Sequence, residues 1–122
     1  KNQVMAVRRD TLEKFAIPME SLEEKLAEIL DDIHDTMFEI ASKNREEKTF
    51  ISNDYDEIKK LMEENKGFIK IMWCGDGECE EKLKADTSAT IRCIPFEQEQ
   101  LGDKCPICGK DAKHMVYIAK AY

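Results

Sequence analysis

An α+β (α/β) fold is predicted, in which one long helix and shorter helices pack on a small, antiparallel three-stranded sheet stapled by four cysteines. Three features of the 122-residue sequence point to it. Apolar residues recur at helical spacing over residues 22–41, β-rich runs stand at 68–73, 90–96 and 115–119, and two closely spaced cysteine pairs adjoin those runs.

Residues 3–9 hold Val4 and Val7 among mixed partners and end on the turn signal Asp10-Thr11, which predicts a short strand. The pattern breaks at Ile17-Pro18. Ser21-Leu22-Glu23-Glu24 then fits a capping box, in which a hydroxyl and a carboxylate reciprocally satisfy free backbone N–H groups, so a helix starts here. Leu22, Leu26, Ile29, Leu30, Ile33, Met37, Phe38 and Ala41 form its apolar stripe, about six turns long at ~3.6 residues per turn. Glu24, Lys25, Glu28, Asp31, Asp32 and Asp35 face away. The stripe is lost over 45–50. Ser52-Asn53-Asp54 supply another cap, and Ile58, Leu61 and Met62 give a shorter helix closing near Gly67. The run 68–73 is β-rich and leads directly into Cys74, a short helix is expected over 78–84, and strands follow at 90–96 and 115–119.

The chain carries 26 acidic and 19 basic side chains, a net charge of -7. That sign opposes a broad grip on nucleic-acid phosphates. The acidity sits mainly in residues 1–66, with 17 acidic against 11 basic residues. No apolar run approaches the roughly 20 residues a membrane-spanning helix needs, so no membrane partner is expected. No initiator Met, apolar signal core or cleavage-site pattern opens the chain, which therefore reads as starting within a longer protein. Five cysteines without an export signal fit a reducing cytoplasm, where clustered thiols serve metals more often than disulfides.

Cys74 and Cys79 form a C-x4-C pair, and Cys105 and Cys108 a C-x2-C pair. Sulfurs on tight turns converge on one ion, and four thiolates at about 2.3 Å suit tetrahedral Zn²⁺. Gly75, Gly77 and Gly109 suit such turns, because a left-handed residue lets backbone N–H groups aim at the sulfurs. A site made wholly of protein ligands leaves no position for water and is structural. The same four ligands also suit iron, and without a metal the cysteines would be free thiols or a redox dithiol. The dithiol reading wants a helix after C-x-x-C, whereas Gly109-Lys110-Asp111 leads into a β segment. Cys93 is expected as a small core residue, His34 on the surface, and His114 outside the metal set, although it lies close enough in sequence to replace a thiolate. Trp73 and Met72 are expected to pack beneath the metal turn; base stacking lacks an accompanying basic cluster. Arg8-Arg9 is a weak nucleic-acid signal, and no carboxylate is tied to a nucleophile or phosphate loop.

Several segments together resemble the C-terminal region of prolyl-tRNA synthetases of the archaeal and eukaryotic-like type. They are Val7-Arg8-Arg9-Asp10-Thr11, the long helix through Phe38-Glu39-Ile40-Ala41, Asp54-Tyr55-Asp56-Glu57, Met72-Trp73-Cys74-Gly75-Asp76-Gly77-Glu78-Cys79-Glu80-Glu81-Lys82, Ala89-Thr90-Ile91-Arg92-Cys93-Ile94-Pro95-Phe96, Cys105-Pro106-Ile107-Cys108-Gly109-Lys110-Asp111-Ala112-Lys113, and the final Ala119-Lys120-Ala121-Tyr122. The resemblance implies that residues 1–20 end an anticodon-binding domain and residues 21–122 form a C-terminal zinc-binding domain. It carries the family's zinc ligands onto Cys74, Cys79, Cys105 and Cys108, with Zn²⁺ structural and ATP confined to the parent's catalytic domain. It implies a cytoplasmic, homodimeric parent that ligates proline to tRNA(Pro). The remaining parent domains are the partners, tRNA(Pro) is met through them, and the terminal Tyr122 reaches toward the catalytic domain. The chain itself lacks ATP-binding arginine motifs and a proline pocket, so it is expected to be non-catalytic, bracing the enzyme, with a long helix that exposes apolar surface and favours self-association in isolation. The alternative is a free-standing zinc-ribbon-like protein-interaction module with the acidic helix as its docking face.

Overall fold

The computed structural model describes residues 2–64 and 67–121. The chain divides into two compact units, Lys1–Asn44 and Arg45–Tyr122.

In the first unit, β1 (Gln3–Val7) and β2 (Lys14–Pro18) form an antiparallel hairpin in which Val4 faces Ile17 and Ala6 faces Phe15. Leu12 turns the chain with φ 62, and its N–H donates to the Arg8 carbonyl at 2.9 Å. β2 lies where the sequence suggested only a break. Its five residues end on Pro18, whose ring cannot donate to a ladder, and only Ile17 is fully buried, so the period-2 signal is short. A 3-10 turn (Met19–Ser21) runs directly into α1 (Leu22–Glu47). The extended residue that opens this helical run is Pro18, at φ -61 and ψ 139, so Ser21 is already helical and does not act as the expected cap. α1 continues past the apolar stripe to Glu47. Among the stripe residues Ile33 is buried, whereas Leu30, Met37 and Phe38 are exposed. The expectation of an apolar helix surface open to solvent holds in this chain.

The second unit holds β3 (Thr49–Ile51), α2 (Tyr55–Glu63), β4 (Phe68–Trp73), α3 (Gly77–Thr87), β5 (Ala89–Cys93) and β6 (His114–Lys120). The sheet has four strands in the order β3-β4-β6-β5. β4, β6 and β5 are the three expected strands and pair antiparallel, as expected. β3 corrects the prediction. It pairs parallel with β4, because the α2 crossover returns the chain in the same direction, and the sheet is therefore mixed. Three residues after a polar helix end carry too little pattern to be read as a strand.

Asp54 caps α2, its carboxylate accepting from the N–H groups of Asp56 at 2.9 Å and Glu57 at 3.1 Å. The helix runs to Glu63, and residues 65 and 66, before the predicted stop at Gly67, lie outside the described residues. Ile58 and Met62 of α2 and Leu83 of α3 pack on Ile69, Ile71, Ala89, Val116 and Ile118 of the sheet, forming one core that includes Cys74, Cys79 and Cys105. The helices packed on this sheet are thus α2 and α3. α1 groups with the hairpin through Asn44.

Candidate metal centre

β4 and β6 are neighbours, and the pair Trp73 and His114 closes their ladder. Cys74 follows the end of β4, and the second cysteine pair lies in the loop that enters β6. After Cys74, Gly75 adopts φ +88, Asp76 caps α3 by accepting from the Glu78 N–H at 3.0 Å, and the first turn of α3 presents Cys79. The second turn is closed by two backbone bonds. The Cys105 N–H donates to the Lys110 carbonyl and the Gly109 N–H to the Cys105 carbonyl, both at 2.8 Å. Gly109 adopts φ +73.

These turns share a design. In Cys74-Gly75-Asp76 and in Cys108-Gly109-Lys110 a left-handed glycine follows the cysteine, and the backbone N–H two residues on favours the thiolate of that cysteine. This matches the role expected of Gly75 and Gly109. Gly77 differs, being the first residue of α3 with no positive φ. The two turns approach each other through the Lys110 ammonium, 3.9 Å from the Asp76 carboxylate.

The sulfurs of Cys74, Cys79, Cys105 and Cys108 all lie within 4.8 Å of one another. The Sγ atoms of Cys74 and Cys79 are 3.6 Å apart, and those of Cys108 and Cys74 are 3.7 Å apart. A regular tetrahedron with metal–sulfur bonds of about 2.3 Å has edges of about 3.8 Å, so the donors fit an ion of that size, and they could hold a metal. Cys74, Cys79 and Cys105 are buried and Cys108 is exposed. Burial pushes the Cys74 and Cys79 thiols up, whereas the Lys110 N–H leads the effects that bring Cys108 down to about 7. As thiolates the three buried cysteines carry a desolvation cost that a cation offsets.

Trp73 is half-buried against the core beside Cys74, and its indole N–H donates to the Asp76 carbonyl at 3.1 Å. Met72 is also buried. His114 stacks obliquely on Trp73, with centroids 6.3 Å apart, and is not one of the four clustered donors. His34 is exposed, as expected. Cys93 departs from expectation. A register shift between Ile91 and Cys93 sets Cys93 opposite Tyr117, and it is exposed instead of buried in the core. It borders a concave surface of about 610 Å³ that also includes Phe68, Lys70, Arg92 and Tyr117, a feature the sequence did not signal. Arg8 is engaged by carboxylates, bonding Asp10 through two nitrogens at 2.7 and 3.0 Å and also pairing with Asp32. Arg9 is exposed. Tyr122 lies outside the described residues. No described helix is long and apolar enough to cross a membrane.

Sequence reasoning missed the side chains that hold the loop of residues 94–113. Asn53 accepts from the Met72 N–H at 3.2 Å and donates to the Lys104 carbonyl at 2.9 Å. Lys70 pairs with Glu99 at 2.8 Å. Isolated amides in polar stretches leave no periodic signal.

Residues 55–122 match the family model described as "Prolyl-tRNA synthetase, C-terminal". The chain is 57% identical over 121 residues to proline–tRNA ligase 2 of Clostridioides difficile, covering 99% of this chain and 25% of that protein. It is 51% identical to proline–tRNA ligase 2 of a Bacillus cereus strain, covering 100% of this chain and 26% of the relative. The chain thus spans about a quarter of the length of the curated relatives it matches. Among solved structures it resembles prolyl-tRNA synthetase from Cryptosporidium parvum complexed with L-proline and AMP, with a TM-score of 0.91, 29% identity, and coverage of 100% of this chain and 26% of that one.

Proposed function

The chain belongs to the prolyl-tRNA synthetase C-terminal family, and from that premise we propose that it serves as a non-catalytic, zinc-stabilised domain of an enzyme that ligates proline to tRNA(Pro) with ATP. The observation that carries the metal role is the convergence of four sulfurs on the adjoining ends of β4 and β6. Cys74, Cys79, Cys105 and Cys108 are the proposed ligands, closing the site so that the ion supplies structure and no open position for water. Bound there, the ion ties the end of β4, the first turn of α3 and the loop entering β6 into one unit. The Asp76 and Lys110 N–H groups share the negative charge left on two of the sulfurs.

Residues 1–20 are read as the last strand and exit of an anticodon-binding domain, and residues 21–122 as the C-terminal domain. The archaeal and eukaryotic-like type is part of this reading, supported by the structural likeness to the Cryptosporidium parvum enzyme. ATP and proline belong to the parent's catalytic domain, in keeping with the L-proline and AMP named for that relative. The remaining parent domains are the direct partners, with tRNA(Pro) met through them in a cytoplasmic homodimer.

Zinc content by elemental mass spectrometry, combined with circular dichroism before and after chelation, tests the structural role. One Zn²⁺ per chain and a cooperative loss of signal on its removal are expected. Unchanged near- and far-ultraviolet spectra after complete metal removal would refute it. The isolated chain is expected to form no prolyl-AMP.

A further inference from the structure

We infer that Cys108 is the oxidation-sensitive ligand of the four: a hydroperoxide that reaches the zinc-loaded centre reacts first at its sulfur and thereby opens the site. The inference rests on the zinc reading above and adds to it a modification site and a class of reagent.

The four sulfurs are not equivalent. Cys74 and Cys79 are each 6% exposed and Cys105 is 1% exposed, whereas Cys108 is exposed. The packing explains the difference. Cys74 follows the sheet, Cys79 sits in α3, and both belong with Cys105 to the core made by Ile58, Ile71 and Leu83. Cys108 ends a turn in a loop outside the named strands, and Gly109 beside it has open space where a side chain would stand. A concavity of about 450 Å³, lined by Glu78, Cys79, Lys82, Cys108 and Lys110, opens at this position, and of its two cysteines Cys79 is buried and Cys108 exposed. A hydroperoxide must approach the sulfur along the O–O axis, and of the four ligands Cys108 is the one exposed to solvent.

The chemistry balances without a further reactant. The metal keeps the sulfur as a thiolate. The Cys108 sulfur takes the terminal oxygen of the hydroperoxide, the O–O bond breaks, and the alkoxide (hydroxide, for hydrogen peroxide) leaves and is protonated by water. The sulfur is now a sulfenic acid. A neighbouring thiolate then attacks it and expels hydroxide, forming a disulfide. Cys74, with its sulfur 3.7 Å from that of Cys108, lies within reach of this step. Two thiolates have lost two electrons in total, and the hydroperoxide has gained them. Zinc, left with two of four ligands, is released.

The test uses the zinc-loaded chain carrying Cys93→Ser, because Cys93 is exposed and lies outside the metal set. Zinc content is measured first. Hydrogen peroxide is then added below one equivalent, released zinc is followed with a chromophoric chelator, and sulfenic acids are trapped with dimedone and mapped by mass spectrometry. The earliest adducts should fall on Cys108 about tenfold more often than on any other ligand. Cys108→His, which keeps a nitrogen ligand, should retain zinc and release it about tenfold more slowly under peroxide. A chain that binds no zinc overturns the zinc reading and this inference with it. A chain with one zinc whose first adducts fall on Cys74, Cys79 or Cys105, or are spread evenly, overturns this inference alone, as does unaltered peroxide-driven release from zinc-loaded Cys108→His.

Discussion

The side-chain amide of Gln98 pairs with both backbone groups of Met115: its oxygen accepts from the Met115 N–H at 2.6 Å, and its nitrogen donates to the Met115 carbonyl at 3.2 Å. β5 ends at Cys93, which faces Tyr117, so the ladder on that side of β6 stops short of Met115. Gln98 takes the place of the missing strand residue. The same amide donates to the Pro95 carbonyl at 2.7 Å, which ties the loop to itself as well as to the sheet.

Gln98→Ala should therefore destabilise the chain by about 1–3 kcal/mol, the cost of leaving buried backbone groups without partners. The check is the urea unfolding midpoint, with Gln100→Ala as the control. Among the described residues Gln100 bonds Gly102 and Asp103, within its own loop, and its loss should cost less.

Cysteine replacements should separate by role. Cys105→Ser removes a proposed ligand that is 1% exposed. It should abolish stoichiometric zinc binding and, with it, much of the stability that a structural zinc gives a small metal domain, on the order of 10 kcal/mol. Cys93→Ser alters an exposed residue and should shift stability by less than about 0.5 kcal/mol. Chelation of the unsubstituted chain should also shift the fluorescence of Trp73, the single tryptophan, which is half-buried beside Cys74.

Glycine-to-alanine replacements should rank by backbone demand. At Gly67, φ is +121 and a Cβ would stand 2.4 Å from the Lys48 carbonyl oxygen. That carbonyl also accepts the Phe68 N–H at 2.9 Å, at the start of the parallel β3–β4 pairing, so it has little freedom to move. Gly67→Ala should cost more than the ~1–2 kcal/mol expected for Gly109→Ala, where φ is +73 but the surrounding space is open. Gly77→Ala should be neutral or stabilising, because the residue is helical and nothing crowds it. Thermal midpoints of the three variants give the order directly.

The Arg8–Asp10 pair sets a pH dependence in the acid range. The Arg8 guanidinium lowers the Asp10 carboxyl from 3.8 to about 2. A carboxylate with a depressed folded-state pKa stabilises the fold above its unfolded value, and that contribution is lost as pH falls from near 4 through 2. Carbon-detected NMR titration of Asp10 should find the low midpoint, and Arg8→Gln should raise it toward the ordinary carboxylate range. Salt should weaken the effect, since the pair lies near the surface.

The amino-acid sequence determined the elements whose signals are local. Residues three and four apart along α1 lie on one face, Asp54 caps α2 within its own turn, and β4 and β6 announce themselves as β-branched and aromatic runs. The cysteine spacing likewise picked out the four sulfurs that converge, because C-x4-C and C-x2-C build their turns from adjacent residues. Tertiary structure decided what depends on distant partners. β3 is a strand only because β4 lies beside it, and β2 because β1 offers a ladder. Cys93 is exposed because a register shift sets its place opposite Tyr117, and Gln98 bonds Met115 across seventeen residues of chain. Local pattern records the face a residue presents. It does not record which strand stops early enough to leave a neighbour's backbone for a side chain to satisfy.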